Sequence, residues 1–180
     1  MMEKEFKGTK NYIVPYLIIS FVSVLILVLQ GSFMAFFLFD GIMPDLLLIL
    51  VICLAFLWGE KRGVAVGFIA GMLQDVFFGP ALGFFTLSKI IPAYLAGRVS
   101  REIYTDQVIG PMLAVFLGTI LHEIITFFLV GFFWGHEFPM EYYMENRFLP
   151  KAIYNFVLTL MIYPLIYRAD QHNLFNPSFK

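Results

Sequence analysis

Long apolar runs, separated by short stretches that contain polar residues, glycine or proline, follow one another along the chain. Apolar runs of about 20 residues are typical of helices that cross a bilayer. The pattern predicts six such helices, at about residues 12–30, 44–58, 63–78, 84–98, 108–134 and 150–168. Pro44 suits a first helical turn, and Asp45 beside it complements the positive end of a helix dipole.

The composition supports the same fold class. Of the 180 residues, 60% are hydrophobic and only 14% are charged, which excludes an ordinary soluble domain of this length. We therefore predict an all-α, polytopic membrane protein whose single transmembrane domain covers residues 1–180. The first run is too long for a signal peptide, and no small-residue cleavage site follows it. The single cysteine, Cys53, excludes an internal disulfide.

The basic residues predict the orientation of the helices. Cytoplasmic ends are enriched in lysine and arginine, and nine of the 12 basic residues fall at alternate ends: Lys4, Lys7, Lys10, Lys61, Arg62, Arg98, Arg101, Arg168 and Lys180. The opposite ends carry only Arg147 and Lys151. Both termini are therefore expected in the cytoplasm. The connector at 31–43 and the acidic, aromatic loop at 135–150, with Glu137, Glu141 and Glu145, are expected outside.

The third predicted helix carries small residues and one carboxylate on the same face. Gly63, Gly67, Gly71 and Asp75 are spaced by four, so successive positions turn by only about 40° around a helix. Glycines at this spacing let a neighbouring helix approach closely. The fourth predicted helix has a matching series, which consists of Lys89, Ala93 and Gly97.

Asp75 and Lys89 are expected at similar depths. The turn "GPALG" is short, so the third and fourth helices are antiparallel neighbours, with Asp75 about one turn before the bend and Lys89 a little more than one turn after it. A direct pair would neutralise both charges in the membrane. In the alternative interpretation, Asp75 caps the turn alone and Lys89 extends to the outer surface.

A polar stripe crosses the middle of the fifth predicted helix. Thr119, His122, Glu123 and Thr126 fall within an arc of about 100°. The sixth helix offers a facing stripe, made of Lys151, Asn155, Thr159 and Tyr163. We expect these side chains to form an intramembrane hydrogen-bond network or to contact a partner.

Catalysis and metal binding are not expected. The sequence "HEIIT" resembles the zinc-protease pattern H-E-x-x-H, but Thr126 stands where the second histidine would be. No nucleophile with a nearby base is evident. An intramembrane enzyme that uses His122 and Glu123 remains a third interpretation. We predict no cofactor, no metal and no nucleic acid, with the lipid bilayer as the surrounding partner.

The stretch from Gln30 to Arg101 resembles the bacterial rod shape-determining protein MreD family. The resemblance rests on Gln30, "PDLLLIL" at 44–50, the Gly63, Gly67 and Gly71 series, "GMLQDVFFGPALGFFTLS" at 71–88 and "AYLAGRV" at 93–99. The family's aspartate falls on Asp75 and its turn on residues 79–83. Lys89 is not part of this pattern.

The resemblance implies a non-enzymatic protein of the bacterial cytoplasmic (inner) membrane. Proteins of this family act with MreC, a protein with a periplasmic domain, in the complex that elongates rod-shaped cells. That complex includes a cell-wall glycosyltransferase and a transpeptidase that make lateral peptidoglycan. The chain would be a membrane adaptor that binds the transmembrane helix of such a partner.

The main alternative is a small-molecule transport component. The family fold is thought similar to the substrate-binding subunits of energy-coupling-factor transporters, which also have six helices in a short chain. In this interpretation the connector at 31–43 and the loop at 135–150 build an outward ligand pocket. Ligand binding by the purified protein would distinguish this alternative from the adaptor.

Overall fold

The computed structural model of the chain is built of helices. It describes residues 2–33, 41–101, 107–135 and 139–172, with the backbone alone for residues 2–13. The elements in chain order are α1 (Met2–Phe33), α2 (Leu46–Trp58), α3 (Glu60–Phe78), α4 (Phe84–Val99), α5 (Ile109–Trp134), α6 (Met140–Tyr143), a π-helical turn (Met144–Phe148) and α7 (Leu149–Gln171). The all-helical fold class is thereby confirmed.

Among the residues that the structure describes, three helical stretches are long and apolar enough to cross a membrane. They are Val14–Ser32, Ile109–Trp134 and the continuous stretch Met140–Gln171. A shorter apolar helix, α2, lies between the first and the second of these stretches along the chain. Each of the six predicted segments coincides with one helix, although α1 and α7 extend beyond the predicted ends.

The predicted loop at 135–150 is helical over much of its length. A proline at position 139 precedes α6, and the helix then runs through the π-helical turn into α7. Phe148 is buried, and its ring packs against Phe127 and Tyr143, which holds this stretch on α5. The prediction of an acidic, aromatic loop was therefore wrong from Met140 onward, where the chain is helical. Glu137, together with residues 34–40 of the predicted outer connector, lies outside the described residues.

Helix α2 forms the centre of the structure. Its residues Leu47 to Phe56 are all buried, and it packs against α1, α3, α4, α5 and α7. A helix that is apolar on every side is stable only when other helices surround it. Its 13 residues span only about 20 Å, less than the bilayer core of about 30 Å. Because of this short length, Asp45, which caps its N-terminus, is placed within the helical bundle.

Helices α3 and α4 form a closely packed antiparallel hairpin. A Cβ atom on Gly67 would lie 3.2 Å from the Cβ of Ala93, and one on Gly71 would overlap the backbone of Thr86. A Cβ on Gly97 would come within 2.5 Å of the backbone nitrogen of Glu60. These glycines therefore determine how closely the two helices approach. The hairpin turn ends at Gly83, whose φ of 95° favours glycine.

Candidate functional site

A buried ion pair joins the central helix to α4. The Nζ atom of Lys89 donates to Oδ2 of Asp45 over 2.9 Å, and the Lys89 side chain is fully buried. The other carboxylate oxygen of Asp45 accepts from the backbone N–H of Leu48 at 2.8 Å, which caps α2. Both oxygens of the carboxylate therefore have partners, as a buried charge requires.

Side chains from α5 and α7 complete the surroundings of Asp45. The Asp45 backbone N–H donates to Oδ1 of Asn155 over 3.0 Å, and Nδ2 of Asn155 donates to Oγ1 of Thr119 over 3.0 Å. His122 Nδ1 lies 3.1 Å from the carbonyl oxygen of Ser88, and His122 Nε2 lies 3.8 Å from Asp45 Oδ2. Because a carbonyl only accepts hydrogen bonds, the His122 proton lies on Nδ1.

A second ion pair joins α5 to α7. Lys151 Nζ donates to Oε1 of Glu123 over 2.6 Å, and the exposed fractions of the two side chains are 20% and 8%. Together with the Asp45–Lys89 pair, this contact links helices α2, α4, α5 and α7 through charged groups. Such pairs tolerate the low dielectric of a membrane because each charge is matched.

Asp75 does not pair with Lys89, so the predicted pair was wrong. Its carboxylate instead accepts from the backbone N–H groups of Gly83, Phe85 and Thr86, at 2.9, 2.6 and 3.2 Å, and from the Thr86 hydroxyl at 2.6 Å. The first N–H groups of a helix lack partners within the helix and attract an anion. Asp75 therefore caps α4 from the end of α3, and the alternative interpretation was right for this residue. It was wrong for Lys89, which is buried.

The hydroxyl groups of the predicted network donate within their own helices or have no partner among the described residues. The Thr159 hydroxyl donates to the backbone oxygen of Asn155 at 2.6 Å, one turn earlier on α7. The Thr119 hydroxyl likewise donates to the carbonyl of Val115. Thr126 stands apart, because its buried hydroxyl has no hydrogen-bond partner among the described residues.

The two ion pairs and the side chains around them form one polar cluster, which consists of Asp45, Lys89, Thr119, His122, Glu123, Lys151 and Asn155. A cavity of about 490 Å³ adjoins this cluster. Asp45, His122, Glu123 and Lys151 line it. The other lining residues are Gln74, Pro80, Phe84, Phe85, Thr126, Phe127, Val130, Tyr143, Arg147 and Phe148. The mixture of charged, amide, hydroxyl and aromatic groups is typical of small-molecule sites.

The paired charges are suited to holding helices together. The carboxylates of Asp45 and Glu123 each have a lysine partner, and His122 is held by a backbone carbonyl. Among the residues that the structure describes, no group of three His, Cys, Asp or Glu side chains is placed to hold a metal ion.

Asp45 is the residue of this cluster that the sequence prediction missed. Its role was assigned to the helix dipole alone, although the signal for a pair was available. Asp45 begins the second helix at the same end of the bundle where Lys89 follows its turn. A lysine at that depth has two candidate carboxylates, and proximity along the chain favours Asp75, which is not its partner.

Comparison with known proteins identifies the family. The model of the family described as rod shape-determining protein MreD matches residues 10–169, which include the whole cluster. The chain is similar to the rod shape-determining protein MreD of Bacillus subtilis (strain 168), with 25% identity over 117 residues, or 65% of this chain and 67% of that protein. No solved structure matches the chain. The chain therefore belongs to the rod shape-determining protein MreD family of bacterial membrane proteins, and this membership supports a role in determining rod shape.

Proposed function

We propose that the chain is a non-enzymatic adaptor of the cell-elongation complex in the bacterial cytoplasmic membrane. It crosses the membrane six times as one transmembrane domain, with both termini in the cytoplasm. It binds an MreC-like membrane-anchored protein and, through this complex, a cell-wall glycosyltransferase and a transpeptidase. Loss of the chain impairs cell shape and lateral peptidoglycan synthesis.

The proposal rests on one observation: the buried ionisable groups bind groups on other helices. Lys89 and Lys151 each bind a carboxylate on a different helix, and Asp75 binds the beginning of α4. Because these contacts stabilise packing, they support a scaffold role. The family match supports the rod-shape complex over the transporter alternative.

A groove between α4 and α5 supports a site for the partner's transmembrane helix. It has a volume of about 390 Å³ and only apolar or glycine lining, which consists of Pro92, Leu95, Ala96, Val99, Gly110, Leu113, Ala114, Leu117, Gly118 and Leu121. Gly110, Ala114 and Gly118 repeat every four residues along α5. In lipid, helices associate through close packing at such small residues. We propose that the partner helix lies in this groove.

Co-purification from the native membrane tests the adaptor and its groove together. Leu117→Trp places a large side chain in the groove, at a position that is 64% exposed. Met161→Trp on α7, at a position that is 70% exposed, is the matched control outside the groove. We expect the MreC-like protein to co-purify with the control and to be lost from Leu117→Trp. Equal recovery with both variants would contradict the groove, and its absence from the unmodified chain would contradict the adaptor.

Reporter fusions test the proposed topology. A reporter that is active only outside the cytoplasm should be inactive when it is fused after Lys180 and active when it is inserted near Tyr143. The reason is the excess of lysine and arginine on the side of both termini. Activity of the fusion at Lys180 would overturn the orientation.

A further inference from the structure

Two residues of the cavity wall have polar atoms that the described part of the chain leaves without a partner. Oε1 of Gln74 and Oγ1 of Thr126 are buried without a hydrogen bond there, and both residues line the cavity. A buried polar atom is unfavourable unless another molecule supplies its partner. An amide oxygen needs a donor, and a hydroxyl can accept one as well. These two residues therefore point to a ligand with hydrogen-bond donors.

Not every charged side chain that lines the cavity has an ion-pair partner among the described residues. Asp45 is matched by Lys89, and Glu123 is matched by Lys151. Arg147 also lines the cavity, and within the described residues no carboxylate pairs with its exposed side chain. A guanidinium group binds the oxygens of a phosphate through two parallel hydrogen bonds. The cavity thus offers one positive charge to an anion.

Aromatic side chains indicate the depth of the cavity in the membrane. Trp134 is 58% exposed, and its ring packs against Phe84 in the cavity wall. Tyr142, which is 50% exposed, precedes the lining residue Tyr143. Exposed tryptophan and tyrosine mark the level of the lipid headgroups. A phosphate-bearing headgroup is the abundant anion at that level.

We propose that this cavity is a binding site for a ligand of the phosphoglycerol class. The phosphate binds Arg147, and the two glycerol hydroxyls donate, one to Oε1 of Gln74 and the other to Oγ1 of Thr126. Phe84, Phe127 and Phe148 pack against the apolar part of the ligand. The ligand is either the headgroup of an anionic membrane lipid or a free glycerol phosphate. This site is separate from the groove that the adaptor proposal assigns to a partner helix.

Thermal unfolding of the purified full chain in detergent tests the site. A ligand that binds only the folded state raises the midpoint of unfolding as its concentration rises. The probes are dihexanoyl phosphatidylglycerol, dihexanoyl phosphatidylcholine and glycerol 1-phosphate. Phosphatidylcholine carries the same phosphate, but it has no net charge and no headgroup hydroxyl. We expect a saturable rise with a phosphoglycerol probe and a smaller rise with phosphatidylcholine.

Three variants connect the response to the cavity. Arg147→Gln should need about tenfold more ligand, because a charged hydrogen bond is lost. Arg98→Gln, which replaces an exposed arginine outside the cavity lining, should respond like the unmodified chain. Thr126→Val should bind more weakly although its own unfolding midpoint without ligand is unchanged or higher, since an unpartnered hydroxyl is removed. A purely structural role for Thr126 would lower that midpoint.

Each outcome decides the proposal. A response to the lipid alone identifies a membrane lipid as the source, and a response to glycerol 1-phosphate identifies a soluble ligand; both support the site. Equal affinities of Arg147→Gln and Arg98→Gln would overturn it, because binding would then be independent of the cavity. The absence of a saturable response to either phosphoglycerol probe would also overturn it. Neither failure would affect co-purification of the MreC-like protein, which tests the adaptor separately.

Discussion

Lys89 and Asp45 meet across the core of the bundle, with 2.9 Å between the ammonium nitrogen and a carboxylate oxygen. They lie on helices that are not consecutive along the chain, and α3 separates them. The contact therefore fixes α4 against the end of the central helix, a position that the short turn between α3 and α4 does not determine.

Removing one partner of this pair should destabilise the protein strongly. Lys89→Met leaves the buried Asp45 charge unmatched, and loss of one partner of a buried pair typically costs about 3 to 5 kcal/mol. Asp45→Asn keeps an oxygen for the N–H of Leu48 but leaves Lys89 unmatched. The double variant should recover part of the loss. Thermal unfolding in detergent of the four forms gives the coupling energy.

The exposed pair of Arg101 and Glu60 provides the control. Its nitrogen and oxygen are 2.7 Å apart, but the Arg101 side chain is 64% exposed. Arg101→Met should therefore change the stability by no more than about 1 kcal/mol. A loss from Lys89→Met as small as that from Arg101→Met would show that the Asp45–Lys89 pair contributes little.

Asp75 should act independently of Lys89. Asp75→Ala removes the acceptor of four hydrogen bonds at the beginning of α4, and we expect a loss of at least about 2 kcal/mol. Asp75→Asn keeps one acceptor oxygen and should lose less. In the double variant Asp75→Ala with Lys89→Met, the losses of stability from the two single variants should add. Thermal unfolding measures these losses. Recovery of stability in the double variant would indicate that Asp75 and Lys89 pair directly, contrary to the structure.

Gly71→Ala should separate α3 from α4. Its added methyl group would overlap the backbone of Thr86, which cannot move without moving α4. We expect a loss of about 1 to 3 kcal/mol and less folded protein in the membrane. Gly31→Ala is the matched control, because its methyl group would meet only the ring of Phe78 at 3.1 Å. That variant should be neutral or gain up to about 1 kcal/mol from helix propensity. Equal losses from both variants would refute close packing at Gly71.

Glu123 and Lys151 should be replaceable together without loss of rod shape. The variant Glu123→Gln with Lys151→Met removes both charges of the pair at once, so no charge remains unmatched. Cells that carry it in place of the unmodified chain should stay rod-shaped when the amount of protein in the membrane is matched. Rounded cells, at matched amounts and with the partner still bound, would indicate that Glu123 has a chemical role.

The sequence pattern was sufficient for the six long helices, but it was insufficient for α6, for the π-helical turn and for the contacts between helices. Apolar runs interrupted at Gly59 and at residues 79–83 define α2, α3 and α4 within three residues. The glycine face of α3 also follows from spacing, since a period of four residues is local. The partner of Lys89 is 44 residues away, and its identity depends on how α2 packs among five other helices. Local spacing contains no information on that arrangement, and it therefore favours the nearer Asp75.

The distance along the chain between Asp45 and Lys89 also constrains the order in which the protein is assembled. The ribosome makes Asp45 44 residues before Lys89, which corresponds to roughly 2 to 9 seconds of synthesis. During that interval the carboxylate has no lysine partner, so α2 cannot take its final place at the centre before α4 arrives. Glu123 likewise lacks its lysine partner until Lys151, which is 28 residues later, has been made. The central helix α2 is thus made early, after α1 alone, but one of the helices that enclose it, α7, is the last to be made.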